Sequence, residues 1–207
     1  DRYAEQSPQE QAEFEQFMGE FSSAFTNLKK KGHLTIKQKG LEADDLAAWI
    51  VGKKDTFGID EIWLISSDKD WDLLINDKVS RFSTVTRKEI TADNWDDHYD
   101  VEPDKYLTLK CLAGDTGDNV PGIAGIGPKR AVSLIEQYGD LFDIYNACPI
   151  DSKYKFIQTL NENADRLLLN AELMDLESYS EQALIEANMN LEDLSSQILE
   201  YLNEVRD

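Results

Sequence analysis

The sequence predicts an α/β fold in which helices flank a parallel sheet and a helical extension follows. Over residues 1–101, short apolar segments of strand character alternate with segments of helical periodicity, an order that is typical of a parallel sheet between helices. From Glu102 onward, the apolar residues recur at three- and four-residue steps, which indicates helices. We therefore predict two domains, residues 1–101 and residues 102–207.

The predicted elements begin with an amphipathic helix from Gln9 to about Lys31, after a polar segment 1–8 that we expect to be mobile. Its apolar residues recur at helical spacing: Phe14, Phe17, Met18, Phe21, Phe25 and Leu28. Strands are predicted at His33–Lys37, at Glu61–Ser66 and near Val79–Val85, and helices at Leu41–Val51 and around Thr91–Tyr99. A helix Tyr106–Ala113, a glycine-punctuated loop Gly114–Gly127 and a final helix over residues 191–206 complete the prediction.

The composition favours a folded protein but argues against a broadly basic nucleic-acid binder. Hydrophobic residues make up 41% of the 207 residues, which is enough for a buried core. The 41 acidic residues and 21 lysines and arginines give a net charge of −20, whereas phosphate contacts need a positive face. DNA binding would therefore require local basic patches on an acidic body, supported by divalent metal ions.

The sequence also predicts the cellular compartment of the protein and whether it is a processed product. No apolar run is long enough to cross a bilayer and no signal segment opens the chain, so we expect an intracellular, cytoplasmic protein without a membrane partner. Cys111 and Cys148 stand in apolar contexts without metal-ligand spacing, which predicts buried thiols in a reducing compartment. Because the first residue is Asp1 and not methionine, we expect a processed product or a fragment.

Three short acidic motifs lie at the edges of predicted elements. They are Gly40-Leu41-Glu42-Ala43-Asp44-Asp45 at a helix start, Ser67-Asp68-Lys69-Asp70-Trp71-Asp72 after a strand, and Gly114-Asp115-Thr116-Gly117-Asp118-Asn119 after a helix. Ligand sites of open α/β sheets lie at the carboxyl ends of strands, which is where Asp68 and Asp70 are predicted. As alternate residues, the two side chains should point the same way. Asp115 and Asp118, three residues apart, share one side of a helical turn. Loops that join these segments would let four carboxylates converge.

Converging carboxylates are the oxygen ligands that a hard cation such as Mg²⁺ prefers. Two such ions roughly 4 Å apart can activate a water molecule and stabilise the leaving oxygen of a phosphodiester. Because no cluster of histidines or cysteines accompanies the acids, the motifs do not favour zinc. The alternative is that these acids are helix caps and solvated loop residues, which is favoured for any single pair. The three motifs together favour metal, since repelling carboxylates in one region need cations.

A glycine-rich segment is the second motif that indicates a function. It reads Gly122-Ile123-Ala124-Gly125-Ile126-Gly127-Pro128-Lys129-Arg130. Glycines allow close backbone approach, and Pro128 suits the first turn of the following helix. A helix N-terminus attracts phosphate, to which Lys129 and Arg130 add positive charge. The segment therefore predicts binding to the DNA backbone without sequence preference. A plain helix–turn–helix connection is the alternative, which glycines alone would favour.

With these motifs in this order, the chain resembles the bacteriophage and bacterial 5′–3′ exonucleases, also called flap endonucleases, and most of all the phage enzymes. The resemblance runs from about Asp1 to the C-terminus and is carried by Gly-Leu-Glu-Ala-Asp-Asp, Ser-Asp-Lys-Asp-Trp-Asp, Gly-Asp-Thr-Gly-Asp-Asn and Gly-Ile-Ala-Gly-Ile-Gly-Pro-Lys. It implies a 5′-nuclease core of PIN-like type, a remnant of a helical arch over residues 1–31, and a C-terminal helical domain. That domain would contain a helix–three-turn–helix element that grips duplex DNA.

The resemblance also implies which residues form the site. The metal ligands would be Glu42, Asp44, Asp45, Asp68, Asp70, Asp115 and Asp118, of which the last four are catalytic. The DNA-binding residues would be Gly122, Gly125, Ile126, Gly127, Lys129 and Arg130. Two Mg²⁺ ions are implied, with Mn²⁺ as a substitute, and a K⁺ ion on main-chain carbonyls of the helix–three-turn–helix. The implied substrate is branched or nicked DNA with a 5′ end or flap, and a replication polymerase is an expected partner.

The family's first two strands, each with an aspartate, and its basic entry to the arch do not precede Asp1 in this sequence. We therefore expect a separate N-terminal segment as a partner. Two main hypotheses follow: a magnesium-dependent, structure-specific 5′ nuclease, and a non-catalytic DNA-binding or inhibitory module on the same scaffold. An acidic protein-interaction domain would explain the charge but not the glycine loop. Trp71 and Tyr3 are candidate stacking residues, with core packing an equal alternative for Trp71.

Overall fold

The computed structural model describes residues 7–206, and the expectations that fall on residues 1–6, including mobility and the stacking of Tyr3, lie outside them. Its helices are α1 (Pro8–Lys30), α2 (Ala43–Gly52), α3 (Tyr106–Ala113), α4 (Pro128–Tyr138), α5 (Leu141–Ala147), α6 (Lys155–Glu162), α7 (Asp165–Met174), α8 (Leu176–Glu186) and α9 (Leu191–Arg206). The strands are β1 (Ile62–Ile65), β2 (Val79–Ser83), β3 (Lys88–Ile90), β4 (Gly114–Asp115) and β5 (Val120–Pro121). No helix in the described range is both long and apolar enough to cross a membrane.

The described residues form two compact units. One contains the chain up to Gly40 together with the residues from Ile185 onward, and the other contains Leu41–Leu184. All of the predicted site residues belong to the second unit.

The first unit begins with the long predicted helix. Ser7 caps α1 in a reciprocal capping box with Glu10, so the helix begins within the polar segment 1–8. None of the α1 residues is buried, and its phenylalanines leave an apolar stripe exposed.

The predicted strand His33–Lys37 is wrong, because those residues form no strand. The described part of this unit contains no neighbouring strand with which they could pair. Side chains hold the segment instead: Lys37 Nζ lies 5.6 Å from the Phe21 ring centroid, and Gln38 donates a hydrogen bond of 2.6 Å to the Ala187 carbonyl.

The second unit contains a three-stranded sheet in the order β1-β2-β3. β1 and β2 pair in parallel, which confirms the predicted parallel arrangement, but β3 runs antiparallel to β2. The predicted helix around Thr91–Tyr99 is reduced to a 3-10 turn at Trp95–Asp97. Apart from Ala92, the residues of this segment are weak helix formers. The Thr91 and Asn94 side chains each accept a hydrogen bond from the other's backbone N–H, at 3.2 and 2.8 Å, and this exchange closes the turn before Trp95.

Two apolar clusters stabilise this unit. The smaller one joins α2 to the sheet through Ala48, Val51, Leu64, Leu74 and Val79. The larger one fills the space among the helices from α3 to α7 and includes Cys111. Cys111 is buried as predicted, whereas Cys148 is only half-buried. Burial raises the pKa of the Cys111 thiol to about 12, so this thiol is not a nucleophile at neutral pH.

A buried ion pair fixes the loop that follows β1. Arg81 of β2 donates to both carboxylate oxygens of Asp72, at 2.5 and 2.8 Å, and its Nη1 donates to the Ser66 carbonyl at 2.9 Å. The Tyr99 hydroxyl donates to the same carboxylate. Because Ser66 precedes the acidic residues of the loop and Asp72 follows them, one guanidinium holds both ends of the segment that carries Asp68 and Asp70.

We expect Asp72→Ala to destabilise the protein by about 3–5 kcal/mol, because it leaves the Arg81 guanidinium buried without its carboxylate. Urea unfolding followed by circular dichroism measures the change. Lys78→Ala serves as the control, since it removes an exposed ion pair with Asp55 and should change the unfolding midpoint little. Equal losses in the two variants would contradict the role assigned to the buried pair.

Candidate metal centre and nucleic-acid interface

Five of the predicted carboxylates line a single cavity of about 410 Å³ in the second unit: Glu42, Asp44, Asp68, Asp70 and Asp118. Glu42 and Asp44 come from the start of α2, and Asp68 and Asp70 from the loop after β1. Asp118 comes from the β4–β5 hairpin. Three segments that are distant in sequence therefore present carboxylates to the same space.

A tighter group of acids adjoins this cavity. Asp70, Asp115 and Asp118 each offer one carboxylate oxygen, and these oxygens all lie within 4.8 Å of one another. The hairpin is shaped by Asp115 itself, whose Oδ1 accepts hydrogen bonds from the backbone amides of Gly117 and Asp118 at 2.7 and 3.4 Å. Such a turn leaves the second oxygen of Asp115 available to a cation.

Lys110 provides a cation at this point. It is a buried residue of α3, and its ammonium donates to Asp70 and, at 2.8 Å, to Asp115. Burial lowers the pKa of Lys110, but the hydrogen bonds to Asp115 and Asp70 outweigh it and leave the pKa raised. Lys110 therefore stays protonated and offsets part of the repulsion between the two carboxylates.

The acids of the site have different proton affinities. Burial raises the pKa of Asp70, with contributions from Asp118 and Asp115, although Lys110 opposes the shift. Lys110 lowers the pKa of Asp115 through its hydrogen bond, helped by the hairpin amides. Burial likewise raises the pKa of Asp44, and the neighbouring charges of Asp68, Glu42 and Asp70 add to it. Half-buried carboxylates that repel one another bind a cation more favourably than isolated surface acids do.

Trp71 has a polar role in this site. Its indole N–H donates to Asp44 Oδ1 at 2.7 Å, and its ring packs against the smaller apolar cluster. This arrangement agrees with the packing alternative and gives no support to stacking on DNA. The hydrogen bond fixes the orientation of Asp44 toward the cavity.

Asp45 does not line the cavity. It stands at the third position of α2, and burial raises the pKa of Asp45 while a hydrogen bond from the Glu42 backbone opposes the shift. This contact is half of a capping box. For Asp45 the structure therefore favours the helix-cap alternative.

The donor set of the cavity suits Mg²⁺ or Mn²⁺. All five lining acids offer oxygen, and no histidine or cysteine is among the lining residues. Hard divalent cations take such oxygens together with water, for which a cavity of this size leaves room. Lys110 would then compete with the ion for the oxygens of Asp70 and Asp115.

The glycine loop begins with two glycines in close backbone contact. A Cβ on Gly114 would lie 2.2 Å from the Gly122 nitrogen, and a Cβ on Gly122 would lie 2.3 Å from the Ala113 carbonyl carbon. Asn170 of α7 stabilises the same contact, because its side-chain amide donates to the Cys111 and Pro121 carbonyls at 2.9 and 3.0 Å. Gly122 is thus required by this contact, whatever its part in DNA binding.

The rest of the loop leads into α4. Gly125 has a φ of 86°, which favours glycine, and Gly127 is the N-cap. Lys129 is exposed in the first turn of α4. Ile126 is 4% exposed and belongs to the core, so any DNA contact there would involve only its main chain. Arg130 is exposed, but its Nη1 donates to the Gly125 carbonyl at 2.5 Å.

Several residues that position the carboxylates or the hairpin were not predicted from the sequence. Lys110 could have been identified, since it is the single charged residue within the apolar helix Tyr106–Ala113 and stands five residues before Asp115. Asp72 ends a motif that was recognised, but its partner Arg81 has no sequence feature that marks it. Asn170 likewise stands in an ordinary helical segment.

Comparisons with known proteins identify relatives of this chain. The family model described as 5′–3′ exonuclease, C-terminal SAM fold, matches residues 101–200. The flap endonuclease of Escherichia phage T5 is 39% identical over 202 residues, which are 97% of this chain and 69% of that protein. The 5′–3′ exonuclease of Buchnera aphidicola subsp. Acyrthosiphon pisum is 30% identical over 155 residues, or 72% of this chain and 54% of that protein.

A solved structure extends the likeness to three dimensions. The phage T5 flap endonuclease, crystallised as a pseudo-enzyme–product complex with DNA and metal ions, matches with a TM-score of 0.85 and 38% identity. The match covers 97% of this chain and 74% of that one.

We expect Mn²⁺ to stabilise the chain by about 2.7 kcal/mol at 100 times its Kd, measured by thermal unfolding. The pKa values of Asp70 and Asp44 are raised, so the folded metal-free chain binds more protons than the unfolded chain as pH falls toward these values. These two groups should therefore contribute more to metal-free stability, and the Mn²⁺ effect should shrink, as the pH falls below neutral. Asp70→Asn should lose most of the stabilisation, whereas the exposed Asp55→Asn should keep it. A stabilisation that Asp70→Asn leaves unchanged would place the ion elsewhere.

Gly122→Ala should destabilise the protein by at least about 3 kcal/mol, because its methyl group would overlap backbone atoms that cannot move without opening the β4–β5 hairpin. Gly127→Ala is the matched control, since a Cβ there meets nothing within 4 Å. Urea unfolding of both variants separates the two cases. A parent-like midpoint for Gly122→Ala would show that the hairpin tolerates a side chain.

Proposed function

The chain belongs to the 5′–3′ exonuclease and flap endonuclease family, and on that premise we propose that it is the larger part of a structure-specific 5′ nuclease that hydrolyses DNA phosphodiesters in replication or repair. The observation that carries the proposal is the convergence of Glu42, Asp44, Asp68, Asp70 and Asp118 on one cavity. Isolated caps and loop acids would not meet in this way. The substrate we propose is branched or nicked DNA with a 5′ end or flap.

We assign the metal ligands to two regions. Glu42 and Asp44 would serve one ion, and Asp115 and Asp118 the other, with Asp68 and Asp70 between them. When bound, two Mg²⁺ ions supply activation of water and stabilisation of the leaving oxygen of the phosphodiester. Asp45 contributes through the helix cap that orients the start of α2.

The chain's own residues prepare the site for this chemistry. Lys110 keeps Asp70 and Asp115 close together despite their charges, and Trp71 orients Asp44. The Arg81–Asp72 pair holds the loop on which Asp68 and Asp70 stand. A phosphodiester would be positioned relative to carboxylates whose geometry is fixed before substrate arrives.

We propose that the glycine loop and α4 form the helix–three-turn–helix element and bind the backbone of duplex DNA. The glycine loop and the exposed Lys129 support this assignment, because a helix N-terminus with an added cation favours phosphate. A K⁺ ion on the loop carbonyls, a PIN-like core over residues 1–101 and a DNA-binding domain over residues 102–207 stay predictions from the resemblance. A polymerase partner is likewise a prediction.

An additional N-terminal segment is part of this proposal. Within the described sheet β1 is an edge strand, and its side chains Trp63 and Ile65 are 41% and 59% exposed. Exposed apolar side chains on an edge strand are normally covered in folded proteins. A strand supplied by that segment would lie beside β1 and end near the carboxylates.

The alternative is a non-catalytic DNA-binding or inhibitory module. Its supporting observation is Lys110, because an ammonium that already bridges Asp70 and Asp115 could stabilise the acid cluster without any metal ion. The net charge of −20 also favours it. The intact acidic motifs oppose it, since half-buried repelling carboxylates lower stability without benefit to a pure binding module.

Cleavage of a 5′-flap substrate in Mg²⁺, by the chain alone and with the N-terminal segment added, tests the proposal. Asp70→Asn and Asp115→Asn should lower the cleavage rate by more than about 100-fold. Their DNA affinity should be retained or increased, because each loses one negative charge that repels phosphate. Asp55→Asn, which changes an exposed acid paired with Lys78, should cut like the parent.

Two results would contradict the assignment. Normal cutting by Asp70→Asn or Asp115→Asn would remove those carboxylates from the site. DNA and metal binding without cutting, even with the N-terminal segment present, would favour the non-catalytic module.

A further inference from the structure

A cluster of basic and aromatic residues adjoins the glycine loop and, apart from Arg130, has no part in the site described above. It consists of Lys153, Tyr154, Lys155 and Phe156 at the start of α6, together with Arg130 of α4; we call it the Tyr154 patch. Lys153, Tyr154 and Lys155 are exposed. The patch concentrates cations on a chain whose net charge is −20.

Arg130 connects this patch to the glycine loop. Its guanidinium lies 4.5 Å from the Phe156 ring centroid, and it donates to the Gly125 carbonyl at 2.5 Å. A Cβ on Gly125 would lie 3.4 Å from the Phe156 Cβ, so the Phe156 side chain lies directly against the loop. Arg130 thus acts on the loop and on an aromatic ring, and the two surfaces form one continuous face.

Tyr154 presents an aromatic face to solvent. Its side chain is 58% exposed, and its ring stacks on Phe156 at 5.8 Å between centroids with planes 24° apart. Lys153 Nζ lies 6.0 Å from the Tyr154 centroid. A cavity of about 330 Å³ lies beside the ring and is lined by Tyr138, Asp151, Ser152 and Phe156, among others. Asp151 is the acidic residue in that lining.

We propose that the Tyr154 patch binds an unpaired, single-stranded segment of the DNA substrate, with a base stacked on Tyr154 and phosphates contacting Lys153 and Lys155. This inference rests on the proposed nuclease function and adds a subsite to it. Single-strand binders combine a cationic track with exposed aromatic rings, because every base has a face that can stack. Recognition of a duplex backbone needs cations and amides but no exposed ring. The exposed, rigidly backed Tyr154 therefore favours an unpaired strand over a second duplex.

The test measures binding of a fluorescent oligothymidylate and of a blunt duplex, each with the parent chain and its variants. Tyr154→Ala should weaken oligothymidylate binding by about 5- to 160-fold, the range for losing one base–aromatic stack, and should leave duplex binding unchanged. Tyr154→Phe keeps the ring and should bind like the parent. Phe142→Ala removes a ring that is 63% exposed but stands outside the patch, and it should have no effect.

The salt dependence separates the two surfaces. Lys153→Ala and Lys155→Ala should each reduce the slope for oligothymidylate by about 0.7, the value for one phosphate contact on a single strand. Lys129→Ala should instead lower affinity for the duplex and reduce that slope by about 0.9. Thermal unfolding of each variant verifies the fold, and parent-like melting is expected since these side chains are exposed.

Each outcome bears on one conclusion. Parent-like binding of oligothymidylate by Tyr154→Ala, or an equal loss for duplex and single strand, would overturn the single-strand subsite and leave the nuclease proposal standing. Binding of neither DNA by the parent chain in Mg²⁺ would overturn the proposed function and the subsite with it. Selective loss in Tyr154→Ala with rescue in Tyr154→Phe would establish the subsite.

Discussion

Each carboxylate that is withdrawn from water costs free energy, and each further carboxylate placed beside it adds repulsion. The second unit places several in one region: Asp44 and Asp70 are half-buried and each lies within the field of other acids. A cation placed among the carboxylates relieves this repulsion while they stay ionised. Lys110 supplies one from within the protein, and the remaining negative charge would favour binding of a divalent ion in the cavity.

The scaffold around the cavity works against the same repulsion. Loops that bear like charges would separate unless other interactions held them. The loop after β1 is held at both ends by the Arg81 guanidinium, and the β4–β5 hairpin is held by the close contact of Gly114 with Gly122 and by Asn170. These contacts do not touch the cavity, yet they set the distances between its carboxylates.

The acidic residues of the site could be predicted from the sequence better than the residues that hold them in place. Helices and strands with strong periodicity, such as α1, α3 and β1, were correctly placed, because hydrophobic spacing determines them locally. The acids were recognisable because three motifs carried more of them than caps require. His33–Lys37 has the alternation of a strand but no strand beside it, and strand formation depends on a partner that sequence spacing does not specify.

Residues whose role depends on tertiary contacts could not be assigned in this way. Arg81 sits in a strand where a charged residue would ordinarily face solvent, and only the position of Asp72 explains its burial. Asp45 belongs to an acidic motif, yet it lies outside the cavity lining and accepts a hydrogen bond from the Glu42 backbone, so the motif alone does not distinguish a ligand from a helix cap. The helix predicted around Thr91–Tyr99 is only a 3-10 turn at Trp95–Asp97, because most residues of that segment have weak helical propensity.

The distribution of basic residues shows how an acidic chain can still suit a polyanion. Arg81 and Lys110 are buried in ion pairs and offer no free cation to a phosphate, whereas the exposed Arg130 has one nitrogen engaged with the glycine loop. Lys129, Lys153 and Lys155 are exposed on the face that contains the loop and the Tyr154 patch. With so few cations, long-range attraction of DNA by the whole molecule would be weak. Affinity would instead depend on short-range contacts: loop amides with phosphate, a ring with a base, and carboxylate-bound metal ions with the backbone. Each of these senses the geometry of the DNA and not its sequence, which is what recognition of a branched structure requires.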